Sequence, residues 1–227
     1  MKEWLYHDKR WNVVNNALWK YAHNGVFTTL LVIDRQPEGL ASHLSRLSDH
    51  ARRFGIDHFA LQERVVLELL NGVEEGICRL RLGYWLGEGG VIVGASLERE
   101  EGALRLCRQV GVIFWEAKGY DPTIKSFKMR KERLALREAA LVRGEDDIVT
   151  VDDEGVLLEG SFSNLFWIHD GCLFTPSRTL PILFGLTIQR IIESAKGLGL
   201  AVYEVKATLS DIPNEASLFL CNSIIGI

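Results

Sequence analysis

The sequence has few cysteines, and no two of them have the spacing of a metal-binding or redox motif. The four are far apart in a chain of 227 residues: Cys78, Cys107, Cys172 and Cys221. This spacing argues against a zinc site and against a disulfide framework. Isolated cysteines in apolar surroundings are usually small core residues. We therefore expect a fold stabilised by a hydrophobic core and no metal site.

Long apolar runs and an excess of positive charge are also missing. No uninterrupted apolar segment approaches the ~18–20 residues that span a bilayer, and the first ten residues contain no apolar signal region. The net charge is −4, with both signs spread along the chain, whereas nucleic-acid-binding proteins usually carry a basic patch. These absences predict a cytoplasmic protein that binds neither membranes nor nucleic acids.

Apolar residues, in contrast, are present in the amount that a substantial core needs. They make up 47% of the sequence, and charged residues make up 25%, as in ordinary soluble domains. The length predicts one compact unit or two small lobes. Internal repeats and low-complexity segments are absent.

The first half of the chain has the pattern of an α+β unit. Residues 25–33 are apolar and rich in β-branched side chains, which predicts a buried strand. Apolar side chains recur with helical spacing over residues 40–54, and Gly55 is a plausible stop. A second helix is predicted from about Leu61 to Leu70.

Alternating apolar and polar residues over 77–85 predict a strand with Arg79 and Arg81 on one face. A glycine-rich turn follows, and further strands are predicted over 91–93 and 104–115. We therefore expect an antiparallel sheet in this half.

The second half begins after a connecting segment at 116–124. A helix is predicted from about Lys128 to Arg143, with Gly144 as its stop. Another helix is predicted to begin near Thr187, and strands are predicted near 148–152, 156–160, 164–168, 200–208 and 217–221. We expect an N-terminal α+β lobe at 1–116 and a C-terminal lobe at 123–227.

Lys125 and Glu159 are the first candidates for chemistry. Lys125 lies in an apolar, proline-led segment, and burial there would make a neutral amine available for Schiff-base formation. Glu159 lies in a mostly apolar strand, and an acidic group is the partner that a protonated pyridine nitrogen needs. Taken singly, each has a simpler interpretation: a surface lysine, and an edge-strand carboxylate in water.

Three further features could bind a phosphate. The segment Gly185-Leu186-Thr187 opens a helix, where backbone N–H groups and a hydroxyl suit an anion. Arg46 on the first helix could make a bidentate phosphate contact, and Ser223 offers a hydroxyl near the end. The alternatives are an ordinary N-cap threonine, a solvated arginine and a simple turn.

In this order, the features resemble the fold-type IV (class IV) pyridoxal-phosphate enzymes. That group contains branched-chain and D-amino-acid aminotransferases and aminodeoxychorismate lyase. The resemblance assigns Lys125 to the Schiff base, Glu159 to the pyridine nitrogen, and Arg46, Leu186, Thr187 and Ser223 to the phosphate. It implies a two-lobed α/β (α+β) fold like that of D-amino-acid aminotransferase, bound pyridoxal 5'-phosphate and a homodimer.

Two short segments resemble the lyase branch more than the transaminases. They are Gly25–Thr29 and Leu220–Ser223, and a hydroxyl at Thr28 could orient a substrate oxygen or a water. Thr28 is equally interpretable as a β-branched strand residue. The resemblance therefore favours an aminodeoxychorismate lyase of folate biosynthesis, which forms 4-aminobenzoate and pyruvate from a small amino substrate.

Two alternatives stay open at this point: a branched-chain or D-amino-acid aminotransferase, and a non-catalytic relative that binds a small anion. The family usually continues for some tens of residues beyond the position of Ile227. The resemblance thus predicts a C-terminal lobe that is short for the family.

Overall fold

Internal contacts divide the chain into two compact units. The structure is a computed structural model that describes residues 1–14, 18–57, 59–100 and 109–226. The first unit comprises Met1–Ala103 with Ile124–Lys128, and the second comprises Leu104–Thr123 with Met129–Ile227. Cys107 and the start of the strand predicted over 104–115 lie outside the described residues. The predicted limits of the two lobes stay a prediction.

An antiparallel sheet of six strands forms the base of the first unit. In spatial order the strands are β2-β1-β6-β5-β3-β4. Their bounds are β1 Lys2–His7, β2 Arg10–Val14, β3 Gly25–Ile33, β4 Gln36–Pro37, β5 Ile77–Gly87 and β6 Gly90–Arg99. The predicted strands over 25–33 and 77–85 are confirmed, whereas β1 and β2 are strands that the sequence analysis does not predict.

Two amphipathic helices complete the first unit, α1 at Leu40–Arg53 and α2 at Glu63–Asn71. Both predicted helices are confirmed, and Gly55 follows α1 with φ at 80°, a conformation that favours glycine. The apolar side chains of α1 and α2 share one buried core with those of β3, β5 and β6. The polar face of α1 is therefore the part of the helix that is available for specific contacts.

The second unit contains two smaller sheets. In one, β7 (Val110–Phe114) pairs in parallel with β8 (Asp147–Val151), which pairs antiparallel with β9 (Leu157–Gly160). The other has the order β12-β11-β10-β13. Its bounds are β10 Asn164–His169, β11 Cys172–Pro176, β12 Ala201–Val205 and β13 Ser217–Cys221. The mixed α and β composition confirms the predicted fold class.

Two helices accompany these sheets. Helix α3 spans Phe127–Val142, and α4 spans Leu186–Gly197. The apolar stripe of α4 packs on β10 and β11 through Ile188 and Ile192. This packing fixes the N-terminal end of α4 beside the strand that carries Asn164. Within the described ranges, no helix combines the length and apolar composition that a membrane crossing requires.

Candidate active site

The backbone of Lys125 is fixed on both sides within the first unit. Its N–H donates to Nδ1 of His50 on α1 at 3.0 Å, and its C=O accepts from the N–H of Phe27 on β3 at 3.0 Å. The Nζ atom lies 5.1 Å from the centroid of the Phe27 ring. Lys125 is therefore a half-buried lysine with a defined position, not a lysine on a loose surface linker.

Arg46, also in the first unit, is joined to β3 by one hydrogen bond, and a second hydrogen bond leads from β3 back to α1. Its Nη2 donates to Oγ1 of Thr28 at 2.9 Å, and Oγ1 lies 2.8 Å from Nδ1 of His43. Because a guanidinium can only donate, the Thr28 hydroxyl accepts from Arg46 and is free to donate to His43. Thr28 and His43 are both buried.

Arg46 is half-buried, and its charge has no counter-ion among the described residues. No described carboxylate lies within ion-pair distance of it, and its buried Nε has no hydrogen-bond partner there. Burial lowers the pKa of Arg46 to about 10, because an apolar environment disfavours the charged form. Arg46 is thus a half-buried cation whose buried Nε suits an anion that the described residues do not supply.

The surroundings of Thr28 leave its hydroxyl no direct access to a substrate. It is fully buried, and its hydroxyl is engaged with Arg46 and His43. The observed contacts give Thr28 the task of holding Arg46. A contact between Thr28 and substrate stays a prediction, and it would require these hydrogen bonds to open.

Glu159 in the second unit is buried and paired, so the simpler interpretation of a carboxylate in water does not hold. It is 5% exposed. Its Oε1 accepts from Nη2 of Arg133 at 2.5 Å and from the N–H of Leu183 at 3.1 Å. Arg133 is 1% exposed, and its guanidinium lies 4.0 Å from the Trp115 ring centroid. Paired burial of this kind avoids the large cost of an isolated buried charge.

Sequence reasoning misses Arg133, although one signal points to it. Arg133 follows the buried Met129 by four residues and thus lies on the inward face of α3. A charged side chain at an inward-facing helical position normally needs a buried partner. The sequence alone does not say that this partner is Glu159.

Asn164 clamps the segment that leads into α4. Its Nδ2 donates to the C=O of Leu183 at 2.8 Å, and its Oδ1 accepts from the N–H of Gly185 at 3.0 Å. A Cβ atom on Gly185 would overlap with Oδ1 of Asn164. Glycine is therefore required at position 185 for the clamp to close.

The turn between Glu159 and Asn164 is organised by a third buried group, Asp147. Its Oδ1 accepts from the N–H of Ser161 at 3.2 Å and from the Ser161 hydroxyl, and its Oδ2 accepts from the Ser163 hydroxyl at 3.1 Å. These bonds fix the turn whose two ends carry Glu159 and Asn164. Neither Asp147 nor Asn164 is identified by the sequence analysis.

The start of α4 has the features of an anion site. Its N-cap residue is Gly185, which has no side chain to cap the first N–H groups of the helix. The hydroxyls of Thr187 and Ser223 lie 3.2 Å apart. Leu186, Thr187 and Ser223 are therefore grouped at one end of a helix whose dipole favours negative charge.

The predicted site residues thus fall into two groups. Lys125 and Arg46 lie in the first unit, where both are tied to α1 or β3. Glu159 lies in the second unit, together with the group formed by Leu186, Thr187 and Ser223. Among the described residues, no three His, Cys, Asp or Glu side chains cluster in a way that could hold a metal ion.

The comparisons with known proteins give the class of this fold. Its solved neighbours include a Mycobacterium tuberculosis protein named "A hypothetical aminotransferase", in a PLP-bound form. The TM-score is 0.83 and the identity 21%, with 99% of this chain and 88% of the other covered. A branched-chain aminotransferase of Thermoproteus uzoniensis has a TM-score of 0.82 and 22% identity, and 99% of this chain matches 84% of it. These neighbours confirm the fold of fold-type IV aminotransferases.

The chain belongs to the class IV aminotransferase family, whose model matches residues 25–227. It is 28% identical to the aminodeoxychorismate lyase of Bacillus subtilis over 226 residues, with 89% of this chain and 75% of that enzyme covered. It is 29% identical to a Methanocaldococcus jannaschii protein named "Putative branched-chain-amino-acid aminotransferase" over 216 residues, with 87% and 74% covered. At the level of the family, the predicted pyridoxal-phosphate-dependent class of enzyme is confirmed.

Proposed function

We propose that the chain binds pyridoxal 5'-phosphate and acts on a small amino substrate. The observation that carries this proposal is Arg46, a half-buried arginine with a buried Nε and no carboxylate partner among the described residues. A phosphate supplies the missing negative charge and can accept from the unpartnered Nε. The start of α4, with Leu186, Thr187 and Ser223, offers further donors of the kind that phosphates bind.

The surroundings of Glu159 also suit this cofactor. The carboxylate of Glu159 is buried, and Arg133 and Leu183 both donate to its Oε1. A carboxylate held in this way is the kind of partner that a protonated ring nitrogen needs. We propose that Glu159 binds that nitrogen and that Arg133 holds Glu159 in place.

In the proposed mechanism, Lys125 would hold the cofactor and would act as the group that transfers a proton. When bound, pyridoxal phosphate supplies an electron-accepting ring conjugated to the substrate nitrogen. Lys125 removes the proton from the substrate carbon that bears the amino group. Glu159 would keep the ring nitrogen protonated. Arg46 and the start of α4 would hold the phosphate.

For the overall reaction we favour the lyase. In aminodeoxychorismate, loss of the proton to Lys125 allows the bond between the ring carbon and the pyruvate oxygen to break. The three-carbon side chain then leaves as enolpyruvate, which becomes pyruvate when Lys125 returns the proton to its methylene carbon. The ring becomes the aromatic ring of 4-aminobenzoate, a step of folate biosynthesis. The segments Gly25–Thr29 and Leu220–Ser223 support this choice, as does the similarity to the Bacillus subtilis lyase.

A group of cationic and aromatic side chains near Lys125 also supports an anionic cyclic substrate. The guanidinium carbon of Arg81 lies 5.6 Å from the Trp19 ring centroid and 5.8 Å from that of Phe27. Phe27 is the ring beside which the Lys125 amine lies. Aminodeoxychorismate combines carboxylates with a six-membered ring, so its charge is complementary to these cationic side chains.

The second candidate is amino transfer by a branched-chain or D-amino-acid aminotransferase. The similarity to the Methanocaldococcus jannaschii protein covers 87% of the chain, and the similarity to the lyase covers 89%. In this reaction Lys125 would again remove and return the substrate proton, and no leaving group would depart. One fold supports both outcomes, and the contacts with substrate decide between them.

We further propose a homodimer, which the family resemblance implies. Edge strand β7 exposes a row of apolar side chains, with Val112 47% and Phe114 58% exposed. Exposed apolar rows of this kind are typical of interaction surfaces. Sedimentation equilibrium should give twice the mass of the chain, and a monomer at all concentrations would contradict the proposal.

The cofactor proposal is tested by trapping. Borohydride reduction of the protein loaded with pyridoxal phosphate, followed by peptide mapping, should place the pyridoxyl group on Lys125. Lys128, three residues further on, is the matched control, and the Lys128→Gln variant should trap normally. A label on another lysine, or none, would reject the proposed role of Lys125 and favour a non-catalytic relative that binds a small anion.

The reaction is tested with two substrate sets. Aminodeoxychorismate should yield 4-aminobenzoate, whereas D-alanine or branched-chain amino acids with 2-oxoglutarate should yield negligible glutamate. The reverse pattern would assign the chain to the aminotransferases.

A further inference from the structure

The contact between His50 and the backbone of Lys125 joins residues that are 75 positions apart in the sequence. His50 is buried on α1, and its Nδ1 accepts from the Lys125 N–H at 3.0 Å. A backbone N–H can only donate, so Nδ1 carries no proton and the imidazole acts as an acceptor. The buried imidazole of His50 therefore makes a specific hydrogen bond as an acceptor and does not serve only to fill space in the core.

His50 lies one helical turn after Arg46, so both side chains project from the same face of α1. Arg46 is tied to β3 through Thr28, and Lys125 is tied to β3 through the N–H of Phe27. One helix and one strand therefore hold both the lysine and the arginine. The distance from the Lys125 backbone to Arg46 is fixed by contacts within the first unit alone.

We propose that His50 is a positioning residue that sets the place of Lys125 relative to the phosphate-binding Arg46. This inference rests on the proposed cofactor. If the Lys125 backbone could shift, Arg46 would still bind the phosphate. The Lys125 amine, however, would meet the cofactor aldehyde less often. The contact between His50 and Lys125 should therefore affect covalent attachment more than phosphate affinity.

The geometry of the imidazole provides a sharp pair of variants. The Oδ1 of asparagine lies close to where Nδ1 of histidine lies, whereas the Oε1 of glutamine lies closer to the position of Nε2. His50→Asn should keep an acceptor for the Lys125 N–H, and His50→Gln should lose it. Both variants introduce an amide of similar polarity, so folding defects should be similar in the two.

The first measurement is hydrogen–deuterium exchange at the Lys125 amide in the cofactor-free protein. We expect His50→Gln and His50→Leu to exchange about 2- to 10-fold faster than the parent, which is the value of one net hydrogen bond. His50→Asn should exchange like the parent. Equal exchange in the Asn and Gln variants would overturn the proposed contact.

The second measurement is the rate at which pyridoxal phosphate becomes trappable on Lys125 by borohydride. His50→Gln should slow this rate by about 10- to 100-fold, because a displacement of ~1 Å can cost about 10²-fold. His50→Asn should restore it, and the inhibition constant of inorganic phosphate should be unchanged in both. His43→Leu is the matched comparison, and it should weaken phosphate binding more than it slows attachment.

The two proposals fail in different ways. If the parent protein traps no cofactor on Lys125, the proposed function is wrong and this inference falls with it. If the parent traps cofactor and His50→Gln does so at the same rate, only the positioning role of His50 is wrong. A parallel loss of phosphate affinity and attachment rate in His50→Gln would indicate a general structural role and would also overturn the proposal.

Discussion

The two units bury their charges in different ways. In the first unit, Arg46 is held by the neutral groups of Thr28 and His43, and no described carboxylate pairs with it. In the second unit, Glu159 is paired with Arg133, which lies against Trp115. An unpaired buried charge lowers stability, whereas one member of a buried pair compensates the other. Substitution of the two proposed cofactor residues should therefore have opposite effects on the cofactor-free protein.

The largest effect is expected in the second unit. Glu159→Gln removes the charge that keeps the ring nitrogen protonated, and turnover should fall by orders of magnitude. It also leaves Arg133 without its counter-ion, which should cost about 3–5 kcal/mol of unfolding free energy. From sequence alone one would expect little loss of stability, and the buried partner Arg133 is the reason to revise that expectation. Urea unfolding of the cofactor-free Glu159→Gln variant measures the loss of unfolding free energy.

A double variant separates the two effects. Glu159→Gln combined with Arg133→Met removes both charges, and apolar replacement of a buried pair is often neutral or stabilising. Stability should therefore recover while turnover stays low. Recovery of turnover together with stability would show that Glu159 serves only the fold.

The opposite result is expected for Arg46 in the first unit. Arg46→Ala should weaken the affinity for pyridoxal phosphate by about 1.5–3 kcal/mol, the range of hydrogen bonds to charged groups. Affinity for pyridoxal, which lacks the phosphate, should change little. The volume-preserving variant Arg46→Met should leave the cofactor-free protein at least as stable as the parent.

Arg52 provides the control for this prediction because it lies on the same helix and is exposed. Arg52→Met should alter neither the affinity for pyridoxal phosphate nor the affinity for pyridoxal. If Arg46→Met weakens pyridoxal and pyridoxal phosphate equally, the guanidinium does not bind the phosphate.

The same comparison shows which parts of the fold the sequence can predict. Strand β3 and helix α1 follow directly from apolar periodicity, and Gly55 marks the end of α1. The hairpin of β1 and β2 is missed because its turn consists of Asp8 and Lys9, which adopt positive φ values of 51° and 60°. Glycine or asparagine would have indicated such a turn, and neither is present.

The site is predictable in its residue types but not in its contacts. Lys125 and Arg46 are identified by chemistry and local context, which short stretches of sequence contain. The partners Arg133 and Asn164 are separated from the groups they hold by 26 and 21 residues. Local patterns do not specify which buried polar groups meet over such distances, because tertiary packing decides it.

A smaller effect is expected from the clamp in the second unit. Asn164→Asp keeps an acceptor for Gly185 but cannot donate to the C=O of Leu183, and it adds negative charge near the start of α4. Affinity for pyridoxal phosphate should fall by about 1–3 kcal/mol, and affinity for pyridoxal should fall less. Titration of the cofactor-free variant with both compounds checks this, and equal losses would assign Asn164 to the fold alone.

The smallest effect should come from the hydroxyl of Ser223. Ser223→Ala removes one neutral hydroxyl from the pair with Thr187, whose oxygens lie 3.2 Å apart. One neutral hydrogen bond is worth about 0.5–1.5 kcal/mol. The loss of affinity for pyridoxal phosphate in Ser223→Ala should therefore be smaller than the loss in Arg46→Ala. Thr187→Val and the double variant complete a cycle. If both hydroxyls bind the same phosphate, the two losses should not be additive, whereas strict additivity would mean that at most one of them contacts it.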